Sequence, residues 1–173
     1  GAAGLRVRAA AGAGQGERAL TVIAWDGTTL AADKRAIAGG SIVRTCTKIR
    51  RITYSEPGWT KPLPALLAIT GCWDTGAEMR EWWIAGADPA AFPPKAREDK
   101  ATLIVIRKHG RIDTFGIGPL PMAIEAERCA WGSGRDYAEA AMYLGHPAEK
   151  AVRVACEFQS DCGNGVDVLR LEA

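Results

Sequence analysis

The dipeptide Asp26-Gly27 stands between two β-forming runs, TVIAW at residues 21–25 and TTLAA at residues 28–32. Asp-Gly supplies the backbone angles of a tight turn, so this spacing predicts a hairpin and commits the chain to pairing two strands. Asp33 ends the second strand. A Gly39-Gly40 break leads to a third run, residues 41–52, in which Lys48 stands between Thr47 and Ile49. A threonine (Thr21), a carboxylate (Asp33) and a lysine (Lys48) are thereby set at the ends or middle of strands expected to pair.

Further along, Pro57-Gly58, Pro62 and Pro64 mark residues 54–64 as a loop, followed by a short apolar strand over residues 65–70 that ends at Gly71. Thr75-Gly-Ala-Glu78 has the form of a capping box, and Met79, Trp82 and Trp83 recur at helical spacing as core or subunit-contact residues before Gly86 ends the helix. Residues 87–100, with three prolines, read as an exposed connection. ATLIVIR at 101–107 is the clearest strand, and His109-Gly110 turns it into a second over residues 111–117. A helix is expected over residues 133–144, with Ser133 and Asp136 as another capping box, and Pro147 opens one more helix. Ala148, Ala151, Val152, Ala155 and Cys156 form its apolar face, and residues 166–171 make a final strand after a loop at 159–164. Strands clustered before and after helices predict α+β layers.

A length of 173 residues suits one domain with a proper core. The net charge of +2 gives no argument for nucleic acid or membrane surfaces, and no apolar run approaches the roughly 20 residues that span a bilayer. Residues 1–20 are rich in Ala and Gly with interspersed Arg and lack an apolar signal region, so a disordered extension or propeptide is expected there and the folded domain over 21–173. Five scattered cysteines without a CxxC pair read as reduced cytosolic thiols, mostly in the core. Two histidines, with no HExxH, do not make a catalytic zinc site.

The order Thr21, Asp33, Lys48, together with TKIRRI at 47–52 and the Gly-Ser-Gly turn at 132–134, resembles the N-terminal-nucleophile hydrolases of the proteasome type. Within that group it is most similar to the bacterial HslV and small phage-type peptidases, over residues 21 to about 171. The resemblance implies a four-layer αββα sandwich and a ring-forming, cytoplasmic threonine peptidase that cleaves unfolded polypeptides, fed by an AAA+ ATPase. It implies Thr21 as nucleophile, Asp33 and Lys48 as its charged partners, and Ser133 at the terminal amine. An oxyanion-binding N–H is implied in residues 68–71, at Ala68, where the family usually has glycine. It also implies a monovalent cation such as Na+ held by backbone carbonyls at Cys156, Gln159 and Cys162, and no other cofactor.

A threonine hydroxyl near neutral pH needs a base beside it. A free α-amino group on the same residue, with a reference pKa of about 7.7–8.0, can take that proton, and a neighbouring ammonium such as Lys48 would lower the amine toward working pH. Leu20 precedes Thr21 in this chain, and while that peptide bond exists the nitrogen is an amide without useful basicity. Self-processing proteasome subunits typically carry glycine before the threonine. Gln159 and Cys162 stand where proteasome β subunits hold an aspartate and a serine. Two other functions fit the same residues: a catalytically inactive structural subunit of this fold, and an amidase acting on a small molecule.

Overall fold

The structure is a computed structural model that describes residues 18–19, 21–38, 42–98 and 100–172. The expectations for residues 1–17, for Leu20 and for the Gly39-Gly40 break fall outside them. Arg18–Ala19, expected in the extension, form a two-residue strand, β1. The Asp-Gly hairpin follows as β2 (Val22–Trp25) and β3 (Thr29–Asp33), in the register Ile23↔Ala32 to Trp25↔Leu30. Asp26 closes this turn with Oδ1, which accepts from the N–H of Thr28 at 3.0 Å and of Thr29 at 2.8 Å.

The single run expected over residues 41–52 divides in two. β4 (Arg35–Ala38) and β5 (Ile42–Thr45) pair as a two-stranded sheet of their own, and β6 (Ile49–Tyr54) joins a different sheet. β5 returns along β4, so the chain must leave that hairpin at residues 46–48 before β6 begins. Lys48 therefore lies at a strand entrance instead of inside a strand. β7 (Leu63–Cys72) is longer at both ends than residues 65–70, and α1 (Trp73–Ile84) follows it directly. The capping box at Thr75 does not form: Cys72 is the N-cap, without a side-chain hydrogen bond, and Thr75 is buried inside the helix. β8 (Ala101–Ile106) and β9 (Ile112–Phe115) make the second expected hairpin, with His109 at φ 64 in its turn. β10 (Met122–Ile124) and β11 (Cys129–Gly132) lead to α2 (Arg135–Tyr143) and α3 (Ala148–Phe158), and β12 (Val166–Arg170) ends the fold.

A six-stranded sheet runs β1-β7-β8-β9-β10, with β6 also on β7, and a four-stranded sheet runs β11-β2-β3-β12. Alternation along the strands sorts the side chains into three apolar layers. Ile23, Trp25 and Leu30 of one sheet meet Leu66, Ile104 and Ile106 of the other between the sheets. Leu67, Ile69, Leu103 and Val105 point the opposite way and pack with Met79 and Trp82 of α1. Val22, Ala24 and Ala31 pack with Ala138, Ala141, Ala151, Val152 and Ala155 of α2 and α3. Small alanines let those helices approach the sheet closely. Each fully buried Leu, Ile or Met contributes about 1.5–3 kcal/mol, so these layers dominate stability. The result is an αββα sandwich, the architecture expected from the resemblance. Met79 and Trp82 are core residues, with Trp82 edge-on to Phe92 at 4.9 Å and to Phe115 at 5.3 Å.

Candidate active site

Three segments that end or begin strands converge on one buried carboxylate. Thr21 enters β2, Asp33 ends β3, and Lys48 precedes β6; all three are buried. Asp33 Oδ1 accepts from Thr21 Oγ1 at 2.8 Å, from Val22 N–H at 3.0 Å and from Lys48 Nζ at 2.7 Å. Oδ2 accepts from the N–H of Arg35 at 3.2 Å and of Gly163 at 3.0 Å. A buried ion pair is tolerable only when its remaining lone pairs are satisfied, and these five donors do that.

The Gly-Ser-Gly turn is fitted around the backbone of Thr21. Gly132 has φ 92, and a Cβ there would lie 2.1 Å from the carbonyl oxygen of Thr21. That close approach lets the same carbonyl accept from Gly134 N–H at 3.2 Å and from Ser133 Oγ at 3.3 Å. Ser133 does not cap α2, whose N-cap is Gly134. Its hydroxyl is turned to Thr21, because glycine on either side lets the chain fold against that residue. Behind it lies Cys162, with Sγ 3.9 Å from Ser133 Oγ. Burial, with the charge of Asp33 next, pushes the Cys162 thiol up to about 12, and the same causes push Cys156 up to about 11. Both stay protonated and are not nucleophiles at neutral pH.

Ala68 is part of the six-stranded sheet. It lies in β7 between Ile49 of β6 and Ile104 of β8. Ile69 N–H donates to Lys48 O at 3.2 Å on the β6 side, and Cys72 N–H donates to Lys100 O at 2.9 Å on the β8 side. Strand alternation then turns the N–H of Ala68 toward β8, inside the sheet. The N–H that faces the other way, toward the strand preceding Thr21, is that of Gly71, which pairs with Ala19. Gly71 has φ 90, and a Cβ there would come 1.9 Å from Lys100 O, so no other residue fits. Gly71 lies within the residue 68–71 segment in which the resemblance implies the donor, and its fixed position at a strand end follows from its neighbours.

The residues expected to hold a cation lie at the end of α3 and just beyond it. Cys156 is in the last turn, Gln159 is the C-cap, and Cys162 is buried in the following turn. The carbonyl of Gln159 accepts from Cys162 N–H at 3.0 Å, and that of Ser160 accepts from the guanidinium of Arg35. A positive charge is thus already seated on this loop.

In fold the chain is similar to solved structures of HslV and Anbu. Among solved structures, HslV from Trypanosoma brucei is similar at 21% identity and a TM-score of 0.60, over 88% of this chain and 99% of that one. The Gly-1 mutant of Anbu from Hyphomicrobium sp. strain MC1 is similar at 12% identity and a TM-score of 0.65, over 88% and 82%. Anbu, an ancestral β-subunit, from Yersinia bercovieri is similar at 12% identity and a TM-score of 0.60, over 87% and 80%. No protein-family model matches the chain, and no curated protein does. Likeness at these identities establishes the fold; the chemistry rests on the residues above. Among the described residues no helix is long and apolar enough to cross a membrane.

Proposed function

We propose that this chain is a threonine-type peptidase whose nucleophile is Thr21 Oγ1 once Thr21 bears a free α-amino group. The observation that supports it most is the convergence of Thr21 Oγ1 and Lys48 Nζ on one oxygen of Asp33, at 2.8 and 2.7 Å. Three polar groups brought out of water from separate segments are costly to bury for structure alone.

In the chemistry proposed, Thr21 Oγ1 attacks the substrate carbonyl carbon and its proton passes to the Thr21 amine. The amine returns that proton to the departing nitrogen as the peptide bond breaks. Water then releases the acyl group from Thr21 by the same route in reverse order. Lys48 favours the neutral amine and offsets charge that develops at Oγ1, and Asp33 holds Lys48 in place. Gly71 N–H, not Ala68 N–H, is the donor we assign to the oxyanion, because it lies on the open side of β7. Removing the residues before Thr21 would uncover this edge. An unfolded polypeptide would then pair with it as β1 does now, through main-chain hydrogen bonds that are indifferent to side chains.

Assembly into a homo-oligomeric ring that works with an AAA+ ATPase belongs to this proposal. Met79, Trp82 and the alanine face of α3 are buried within the subunit. Exposed apolar groups on the α2–α3 layer include Tyr137 and Phe158, which stack at 5.7 Å, and Tyr143 and Leu144 at the end of α2.

A second reading, an inactive structural subunit, is favoured by one observation: Thr21 is fully buried. The deciding experiment is hydrolysis of fluorogenic peptides by a form beginning at Thr21. Turnover by that form and none by its Thr21→Ala variant supports the peptidase; a folded, inert Thr21 form supports the structural subunit.

A further inference from the structure

The loop expected to bind an alkali metal ion carries a cation of the chain's own. Arg35, half-buried at the start of β4, donates through Nη1 to Ser160 O and through Nε to Asn164 Oδ1 at 3.4 Å. Its guanidinium lies flat over Gly163, where a Cβ would meet Nη2, Cζ and Nε at 3.1 to 3.3 Å. Among the described residues the acceptors its head group reaches are oxygens of this loop, with no carboxylate among them. The opposite side of the loop is tied as well. Asn164 Nδ2 donates to Arg44 O at 3.2 Å and to Thr45 Oγ1 at 3.3 Å on β5, and Lys34 N–H donates to Gly163 O at 2.9 Å. At the centre of this bracing is one bond to the candidate active site, from Gly163 N–H to Asp33 Oδ2 at 3.0 Å.

We propose that Arg35 is the resident cation of the residue 159–164 loop and a positioning residue for Asp33. Its guanidinium, in place of an alkali metal ion, holds the turn that presents Gly163 N–H to the carboxylate. A guanidinium is charged at every working pH and offers N–H donors in a fixed plane, so it can satisfy several oxygens at once. It is also covalently present, so the shape of the loop does not depend on salt composition. A metal ion on the neighbouring carbonyls would face a like charge at short range. The expected carbonyl set at Cys156, Gln159 and Cys162 is therefore a poor fit for Na+ in this chain. The proposal rests on the peptidase reading only for its consequence on turnover.

The test uses the full chain and no turnover, so its failure is separate from failure of the peptidase reading. Melting midpoints are compared in sodium, potassium and choline chloride at equal ionic strength, with amide exchange followed at Gly163. The wild-type midpoint is expected to agree in the three salts within about 1 °C, because no alkali ion binds the folded state selectively. Arg35→Gln is expected to lower the midpoint by about 3–6 °C and to speed exchange at Gly163 about tenfold. Low millimolar guanidinium should restore part of both losses, which a general packing defect would not allow. A saturable rise of the wild-type midpoint with sodium but not choline overturns the proposal. So does an Arg35→Gln protein with wild-type midpoint and exchange. Should that variant not fold, Asn164→Gly removes the bridge to β5 without backbone strain; unchanged Gly163 exchange there overturns the proposal, and faster exchange supports it.

Discussion

Lys48 Nζ lies 2.7 Å from Asp33 Oδ1, and both side chains have 0% exposure. Removing the lysine leaves a carboxylate in the interior with one charge uncompensated. Lys48→Met is expected to cost about 3–5 kcal/mol in chemical denaturation. The four other donors to Asp33 keep the variant foldable at low temperature, and a form of it beginning at Thr21 should lose peptide hydrolysis by several powers of ten. Stability within about 0.5 kcal/mol of wild type would show that the pair does not form.

Gly71→Ala addresses the reassigned oxyanion donor. The added methyl meets Lys100 O and must hold φ near 90, so β7 and β8 separate locally. We expect a loss of about 2–4 kcal/mol by denaturation, in the class of strained backbone and overpacking combined. Hydrolysis by the form beginning at Thr21 is expected to fall with it, because the same N–H is displaced. A Gly71→Ala protein with wild-type stability and hydrolysis would contradict both the close approach to Lys100 O and the donor role.

Asp26 links the first hairpin to the last helix. Its Oδ2 accepts from Ala148 N–H at 2.9 Å, the first residue of α3, while Oδ1 closes its own turn. Burial works against the charged form, but the N–H groups of Ala148, Thr28 and Thr29 and the hydroxyl of Thr28 outweigh it and hold the pKa below the usual value. A depressed folded-state pKa means stabilisation that is fully present above the unfolded value, about 3.9, and is lost as pH falls through the folded one. Asp26→Ala should cost about 1–3 kcal/mol at neutral pH and should flatten the acid limb of the stability curve below about pH 4. An unchanged acid limb would contradict the assignment.

Ser133→Ala separates two roles for one hydroxyl. A capping role predicts a loss of about 1 kcal/mol in stability. The observed hydrogen bond to Thr21 O predicts little loss of stability and a drop of about 10- to 100-fold in hydrolysis by the form beginning at Thr21. Denaturation and turnover on the same preparation decide between them.

How much of this was legible follows from what each signal encodes. The Asp26-Gly27 hairpin and the apolar run at Leu103–Ile106 were readable because turn chemistry and strand burial are local. Thr21, Asp33, Lys48 and Ser133 were grouped through resemblance, and the structure brings their side chains to one carboxylate and one carbonyl. What sequence did not carry is non-local. Nothing near Ser41–Ile52 announces that its first half folds back on residues 35–38, since β-forming residues suit either sheet. Both supposed capping boxes failed: α1 begins before Thr75, which is buried inside it, and the Ser133 hydroxyl is bonded to Thr21 O. Arg35 gave no signal, as an arginine in the charged run Asp33-Lys34-Arg35 reads as surface charge until Ser160 and Asn164 arrive from ~125 residues away.

The central claim, that Thr21 is a nucleophile awaiting a free amine, is tested most directly by intact mass after exposure to a threonine-directed epoxyketone, a reagent that joins both the hydroxyl and the free amine. The form beginning at Thr21 is expected to gain one adduct mapped to Thr21. The chain retaining the Leu20–Thr21 bond and the Lys48→Met variant of the trimmed form should gain none. A folded form beginning at Thr21 that remains unmodified while a known threonine peptidase is labelled beside it would contradict the account.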